Sequence, residues 1–179
     1  MKHTSSLAVR RFTTRDGAFN ATPARIVFGS GTSRTVRDEV AHLGCKRALV
    51  VSTPGRKTMA KQVAHTLSDL AVGVLPEAVS QVPVELARRG RVAALETGAD
   101  CIVAIGGGAS VGLAKGISLE LALPIVNIPT TYSGSEMTAF CGMTIDGVKI
   151  MHESRNMLAH TVIYLSLIHI SEPTRLRRI

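Results

Sequence analysis

Tryptophan is missing from all 179 residues, and aromatic side chains make up only 3% of them. Val, Ile, Leu and Ala must therefore fill the core, and a hydrophobic content of 45% suffices for one ordinary soluble domain. The same shortage removes the stacking platform of a single-strand nucleic-acid binder. No apolar run approaches the length that spans a bilayer. Neither a nucleic-acid nor a membrane partner is expected. No Gly-Lys-Ser/Thr follows the glycine-rich stretch, which excludes a Walker loop. Cysteine is scarce as well. Cys45, Cys101 and Cys141 are an odd set without paired metal spacing. They read as reduced thiols of a cytoplasmic protein, with Cys101 a small hydrophobe inside an apolar run.

Acidic residues are the minority charge, 13 against 21 Lys and Arg, for a net charge of +8. The excess gathers at the ends, in Lys2, Arg10, Arg11 and Arg15 and again in Arg175, Arg177 and Arg178. It does not form one basic face. Residues 1–15 are rich in Ser, Thr and Arg and hold no acid, a faint likeness to a transit peptide. The simpler reading is a disordered or mis-started N-terminus.

What remains is a regular alternation. Arg25-Ile26-Val27-Phe28 reads as a strand ending at Gly29-Ser30-Gly31, with a helix from Arg34 to Leu43 capped by Thr32 or Ser33. Arg47–Ser52 is a continuous apolar strand, as expected where both faces of a parallel sheet are covered. Helix 57–70, strand 71–75, a helix from Pro83 to Thr97, strand 101–105, helix 110–121 and strand 125–128 follow. The rhythm predicts an α/β fold, a doubly wound parallel sheet of Rossmann-like type. Cys141–Ile145 and Val148–Met151 then read as a hairpin around Asp146-Gly147. Thr161–Tyr164 is a last strand. Arg88, Arg89 and Arg91 flank Gly90 inside a helix and read as a solvated face, with Gly90 costing about 1 kcal/mol relative to Ala.

Ligands of such sheets bind beyond the carboxyl ends of strands. Three loops fall there: 52–55, 106–110 and 129–138. The second, Gly106-Gly107-Gly108-Ala109-Ser110, joins an apolar strand to a helix and so offers bare amides where a phosphate can sit. Its spacing is one residue too long for the dinucleotide fingerprint. The third carries Thr130, Thr131, Ser133, Ser135 and Thr138, whose hydroxyls suit ribose and amide groups. Two polar loops at neighbouring strand ends favour a dinucleotide over a lone phosphate. Asp38 and His42 have the spacing of metal ligands on a helix, but they sit on the side away from Val36 and Val40 and read as solvated. His152 and His160 fall in an irregular segment and suggest no site.

Arg25–Thr32, Ala104–Ser110 and Pro129–Thr138 together resemble the iron-containing alcohol dehydrogenase superfamily, and within it the maleylacetate reductases. The narrower likeness rests on Gly112-Leu113, where metal-dependent members have Asp in place of Gly, on Ser52–Gly55 and on the wording of Tyr132–Thr138. The resemblance implies a dehydroquinate-synthase-like nucleotide domain followed by an all-helical one. It implies NADH or NADPH as cofactor. Gly106, Gly107, Gly108 and Ser110 would hold the pyrophosphate, with Thr130, Thr131, Ser133 and Thr138 toward the nicotinamide. Lys149 would reach the nicotinamide ribose, and Ser52 and Thr53 the adenosine ribose. Ser52-Thr53 stands where many relatives have Asp, so NADPH is expected to be tolerated. Ala109 and Gln81 depart from the family's wording, and Gln81 leaves a substrate-side role open there.

The implied reaction is reduction of maleylacetate, a small-molecule substrate, to 3-oxoadipate in aromatic-compound degradation, by a homodimer. An iron-containing alcohol or glycerol dehydrogenase is the close alternative. A nucleotide-binding fragment without turnover is another, and a cyclase-type lyase a third. No catalytic residue is identified, and the family's Asp and three His metal ligands are expected in the helical domain, outside this chain. Residues 16–164 are read as the NAD(P)-binding domain. Residues 165–179 resemble a translated sequencing adapter and are read as non-native. An apolar patch is expected where the helical domain would meet this one.

Overall fold

A computed structural model describes residues 24–29 and 31–165. The readings placed on residues 1–15 and 166–179, and on the side chains of Thr32 and Ser33, lie outside the described residues. Eight strands and four α-helices follow in chain order: β1 Arg25–Gly29, α1 Val36–His42, β2 Ala48–Val51, α2 Lys57–Leu67, β3 Ala71–Leu75, α3 Val84–Glu96, β4 Cys101–Gly106, α4 Gly108–Leu121, β5 Ile125–Pro129, β6 Phe140–Ile145, β7 Val148–Glu153 and β8 Thr161–Leu165.

Six strands form one sheet in the order β1-β8-β5-β4-β2-β3, and every pairing in it is parallel. All six residues of β4 and all five of β5 are buried, because helices cover both faces. Alternation sorts the side chains between two cores. Val50, Val103, Ile105, Val126, Ile128 and Ile163 meet Val36 and Val40 of α1 and Ala60, Val63 and Leu67 of α2. Leu49, Val51, Ile102, Ala104 and Ile125 meet Leu86 and Ala94 of α3 and Leu113, Ala114 and Ile117 of α4. Each buried Val, Leu or Ile contributes about 1.5–3 kcal/mol by leaving water, so the scarcity of large aromatics is made good by number.

β6 and β7 pair outside the main sheet as an antiparallel hairpin. Asp146 (φ 49°) and Gly147 (φ 77°) are both left-handed, as its type I′ turn requires. Val82, Ala87, Cys141, Met143 and Met157 form a third core that ties this hairpin to the helix layer. Thr144 pins it further: its amide donates to the Val82 carbonyl at 3.0 Å and its hydroxyl to the Gln81 carbonyl at 2.8 Å.

Three expectations change. The predicted solvated face of α3 holds for Arg88 and Arg89 but not for Arg91, which is 7% exposed. Its guanidinium donates to the Gly116 carbonyl at 2.8 Å and pairs with Glu120 at 3.1 Å. The reason is Gly90: a Cβ there would lie 2.7 Å from Ile117, so α3 and α4 approach closely and the next residue is drawn into their seam. The chain enters α1 through a 3-10 turn, Thr32–Thr35, so that the α-helix begins at Val36 and not at Arg34. His152 belongs to β7, opposite Cys141. No helix among the described residues is long and apolar enough to cross a membrane.

Candidate functional site: the carboxyl edge of the sheet

The strand order puts the reversal of winding between β2 and β4. The chain leaving β2 winds to β3 on one side, and the chain leaving β4 winds to β5 on the other. Loops diverge from such a point and leave a crevice. The glycine turn opens there. Gly106 has φ 139°, and a Cβ on it would sit 2.4 Å from Ser110 Oγ; on Gly107 it would sit 2.8 Å from Thr131 Oγ1. These two glycines therefore close the turn against its neighbours. Gly108 is different. It is exposed, begins α4, and has no side-chain atom nearer than 3.8 Å to such a Cβ. The amides of Gly108 and Ala109, the first two of α4, have no intrahelical acceptor, and the helix dipole adds partial positive charge. An anion approaching Gly108 would meet these two amides, with Ser133 the side chain beside them.

The third loop is locked to this turn. The Thr130 amide donates to the Gly106 carbonyl at 2.9 Å. Beyond it, Glu136 is 1% exposed. Its carboxylate accepts from Ser133 Oγ at 3.0 Å and from the Tyr164 hydroxyl at 3.1 Å. Burial and the Glu136 charge push the Tyr164 phenol up to about 12, and its ring lies 5.6 Å from that of Tyr132. A cavity of about 670 Å³ opens between the start of α4, this loop, the hairpin and the segment 80–82. Gln81 (φ 62°) and Val82 (φ 27°) are held there in the left-handed region, which stores strain at the cavity rim. Val82 fills the space over Gly112, where a Cβ would meet it at 2.6 Å. A carboxylate at position 112 has no room.

Of the residues expected from the sequence, Gly108, Ser133, Thr138 and Lys149 line the cavity. Lys149 is exposed, and its chain crosses Gly142, where a Cβ would touch Cε at 2.3 Å. Gly106, Gly107, Thr130 and Thr131 form the adjoining strand ends. Ser110 is buried beneath the turn, with an Oγ that has no hydrogen-bond partner and an amide that donates to Gly107 at 3.0 Å. Its side chain supports the loop from within and is not presented to solvent. Ser52 is equally buried and turns its hydroxyl onto the Thr53 carbonyl at 3.1 Å. Half-buried Thr53 is what this strand end offers. Gln81 is exposed at the rim.

Two residues escaped the sequence reading. Lys115 is fully buried on α4, and its ammonium reaches Ser135, Thr138 and Phe140. A lone lysine in a helix apolar on nearly every side is the signal that marks it. Glu136, in an irregular loop, gives no such signal. Elsewhere, Cys45, Asp100 and Cys101 bring one ligand atom each within 4.8 Å of one another. The Asp100 carboxylate already accepts from the amides of Lys46 and Arg47 at 2.8 Å, and burial raises both thiols above their ordinary range. They behave as core atoms. Asp38 and His42 are exposed, as is His160.

The fold and its loops define a doubly wound α/β domain with an exposed glycine helix start at the switch point. Comparison with known proteins sharpens this. The sequence profile described as iron-containing alcohol dehydrogenase matches residues 23–165. The chain is 48% identical over 158 residues to a maleylacetate reductase of Burkholderia cepacia, an alignment that covers 88% of this chain and 45% of that protein. The crystal structure of maleylacetate reductase from Rhizobium sp. strain MTP-10005 superposes with a TM-score of 0.84 at 43% identity, over 87% of this chain and 45% of that one. A putative alcohol dehydrogenase from Ralstonia eutropha JMP134 gives 0.84 at 45% identity, over 89% and 45%. The chain belongs to the iron-containing alcohol dehydrogenase family. It spans somewhat less than half the length of the relatives it matches.

Proposed function

We propose that residues 16–164 form the NAD(P)H-binding domain of an oxidoreductase that reduces maleylacetate to 3-oxoadipate. The observation that carries this is the pairing of a bare helix start at Gly108 with a hydroxyl-bearing loop fixed beside it. The family membership and the maleylacetate reductases at 48% and 43% identity support the substrate.

The residues fit a dinucleotide. The amides of Gly108 and Ala109 take the diphosphate, and Gly108 brings no side chain of its own to the approach. Thr138 and Lys149 stand on the cavity wall where a nicotinamide riboside would lie. Ser133 is held by Glu136, so its hydroxyl has a fixed direction. The bound nicotinamide supplies a hydride to the electron-poor double bond of the substrate. The chain's own residues bind the cofactor, orient its ring and keep the inner side of the loop dry. The β2 end presents Thr53 and no carboxylate of its own, so NADPH is accepted beside NADH. A ratio of affinities beyond about a hundredfold, or some 2.7 kcal/mol, would remove that part of the reading.

A second reading, cofactor binding without turnover, is favoured by the cavity itself: among the described residues, only Lys149 and Cys141 bring titratable side chains to its wall. One assay separates the two. NADH oxidation in the presence of maleylacetate supports the reductase. Saturable NADH binding by calorimetry without oxidation supports the binding domain alone. Absence of binding to a folded chain overturns both.

A further inference from the structure

Lys115 is among the largest side chains fully withdrawn from solvent, and none of the ion pairs among the described residues includes it. Its ammonium has three protons and meets three close acceptors: the Ser135 carbonyl at 2.6 Å, the Phe140 carbonyl at 2.7 Å and Thr138 Oγ1 at 3.0 Å. Ser135 Oγ stands farther off at 3.4 Å. Those residues span the loop from its 3-10 turn, Ser135–Met137, to the first residue of β6, and all of them line the cavity. The Thr138 hydroxyl also donates its own proton to the Ser135 carbonyl at 3.2 Å. With that proton committed and one lone pair taken by Lys115, the oxygen can only accept from a ligand.

We infer that Lys115 is a positioning residue that fixes Thr138 Oγ1 as a hydrogen-bond acceptor for the primary carboxamide of a reduced nicotinamide. This rests on the reading of the cavity as a dinucleotide site. The carboxamide N–H₂ is a donor, so it matches. A methyl ketone in its place puts a methyl group where the N–H₂ was and has no donor for the Thr138 oxygen. The protein therefore distinguishes cofactors by one functional group on the nicotinamide ring.

The electrostatics agree. Burial lowers the Lys115 ammonium from its ordinary 10.5 to about 8, against the fields of Cys141 on β6 and Glu136 on the loop, which favour the charge. Lys149 on β7 acts on Cys141 in turn, lowering its thiol against the larger effect of burial. Tyr164 donates to Glu136. Above about 8 the amine keeps fewer donors than it has acceptors, and Thr138 is released.

The test compares NADH with its reduced 3-acetylpyridine analogue by calorimetry on the chain. The unmodified protein prefers NADH by about tenfold, the loss expected when a fixed acceptor is left buried without its donor. Lys115→Met lets the Thr138 hydroxyl rotate and brings the ratio close to one. In the unmodified protein the preference also declines as the pH rises through about 8, a readout that stands should the variant not fold. Stability moves the other way. The unfolded chain binds more protons than the folded one between about 8 and 10.5, so the unfolding free energy gains a rising contribution across that window, which Lys115→Met removes. Equal affinity for both cofactors, a preference that survives Lys115→Met, or one that stays flat through pH 8 each overturns the inference and leaves the site standing. If the folded chain binds neither cofactor, the site reading itself fails.

Discussion

At the amino end of the sheet, Asp100 accepts from the amides of Lys46 and Arg47, each at 2.8 Å. Arg47 turns its guanidinium onto the Gly98 and Thr97 carbonyls at 2.8 and 2.6 Å. At the carboxyl end of the same strands, Ser110 Oγ has no partner, Gly106 holds φ 139°, and Gln81 and Val82 are strained. Both ends are made of loops, and both carry polar groups. One end spends its hydrogen bonds on closing itself; the other leaves the amides of α4 open. Closed polar loops add stability and offer a ligand little. Open ones forgo stability and can bind. The division follows from the parallel topology, which sends every helix start to the same edge.

Substitutions can break this contrast. The largest effect is expected for Gly106→Ala. It forces a side chain into a left-handed backbone and against Ser110 Oγ, a cost of about 3 kcal/mol. Urea unfolding should show the loss, and NADH binding should vanish in calorimetry; a variant that binds normally would mean that this turn is not the cradle. Asp100→Ala comes next. It removes two charge-assisted bonds at the closed end and should lower stability by about 2 kcal/mol with NADH affinity unchanged. A comparable loss of affinity would erase the division between the two ends. Gly90→Ala is the mildest. Helix propensity alone predicts a gain of about 1 kcal/mol, but the new Cβ would lie 2.7 Å from Ile117. Crowding should turn the gain into a loss of about 1 kcal/mol. Its disappearance when Gly90→Ala is made in an Ile117→Ala background, measured against Ile117→Ala alone, would locate the cause in the α3–α4 seam.

The glycine turn was legible because a run of three glycines between an apolar strand and a helix has few other uses. The hydroxyls of the third loop were legible as a set but not one by one. Nothing local distinguishes Thr138, which reaches the cavity wall, from Ser52, which folds back on its own backbone. Arg91 was misread for the same reason. Its neighbours Arg88 and Arg89 are solvated, and only the close approach of α4 at Gly90 explains why the third arginine is not. Tyr132, Met137 and Phe140, in or just after the third loop, are exposed by 49%, 37% and 47%.

Periodicity and punctuation by themselves determined the alternation of strands and helices, the parallel sheet and the edge at which a ligand would sit. Those properties depend on which residues neighbour one another along the chain, and a turn of helix or a pleat is set within a few positions. The tertiary structure alone decided that Lys115 is buried beneath the third loop and Glu136 within it, that Ser110 supports the turn without facing solvent, and that Val82 denies position 112 a carboxylate. Each of these depends on contacts between segments far apart in sequence, where burial removes water and makes a polar atom answer to whatever the fold has placed beside it.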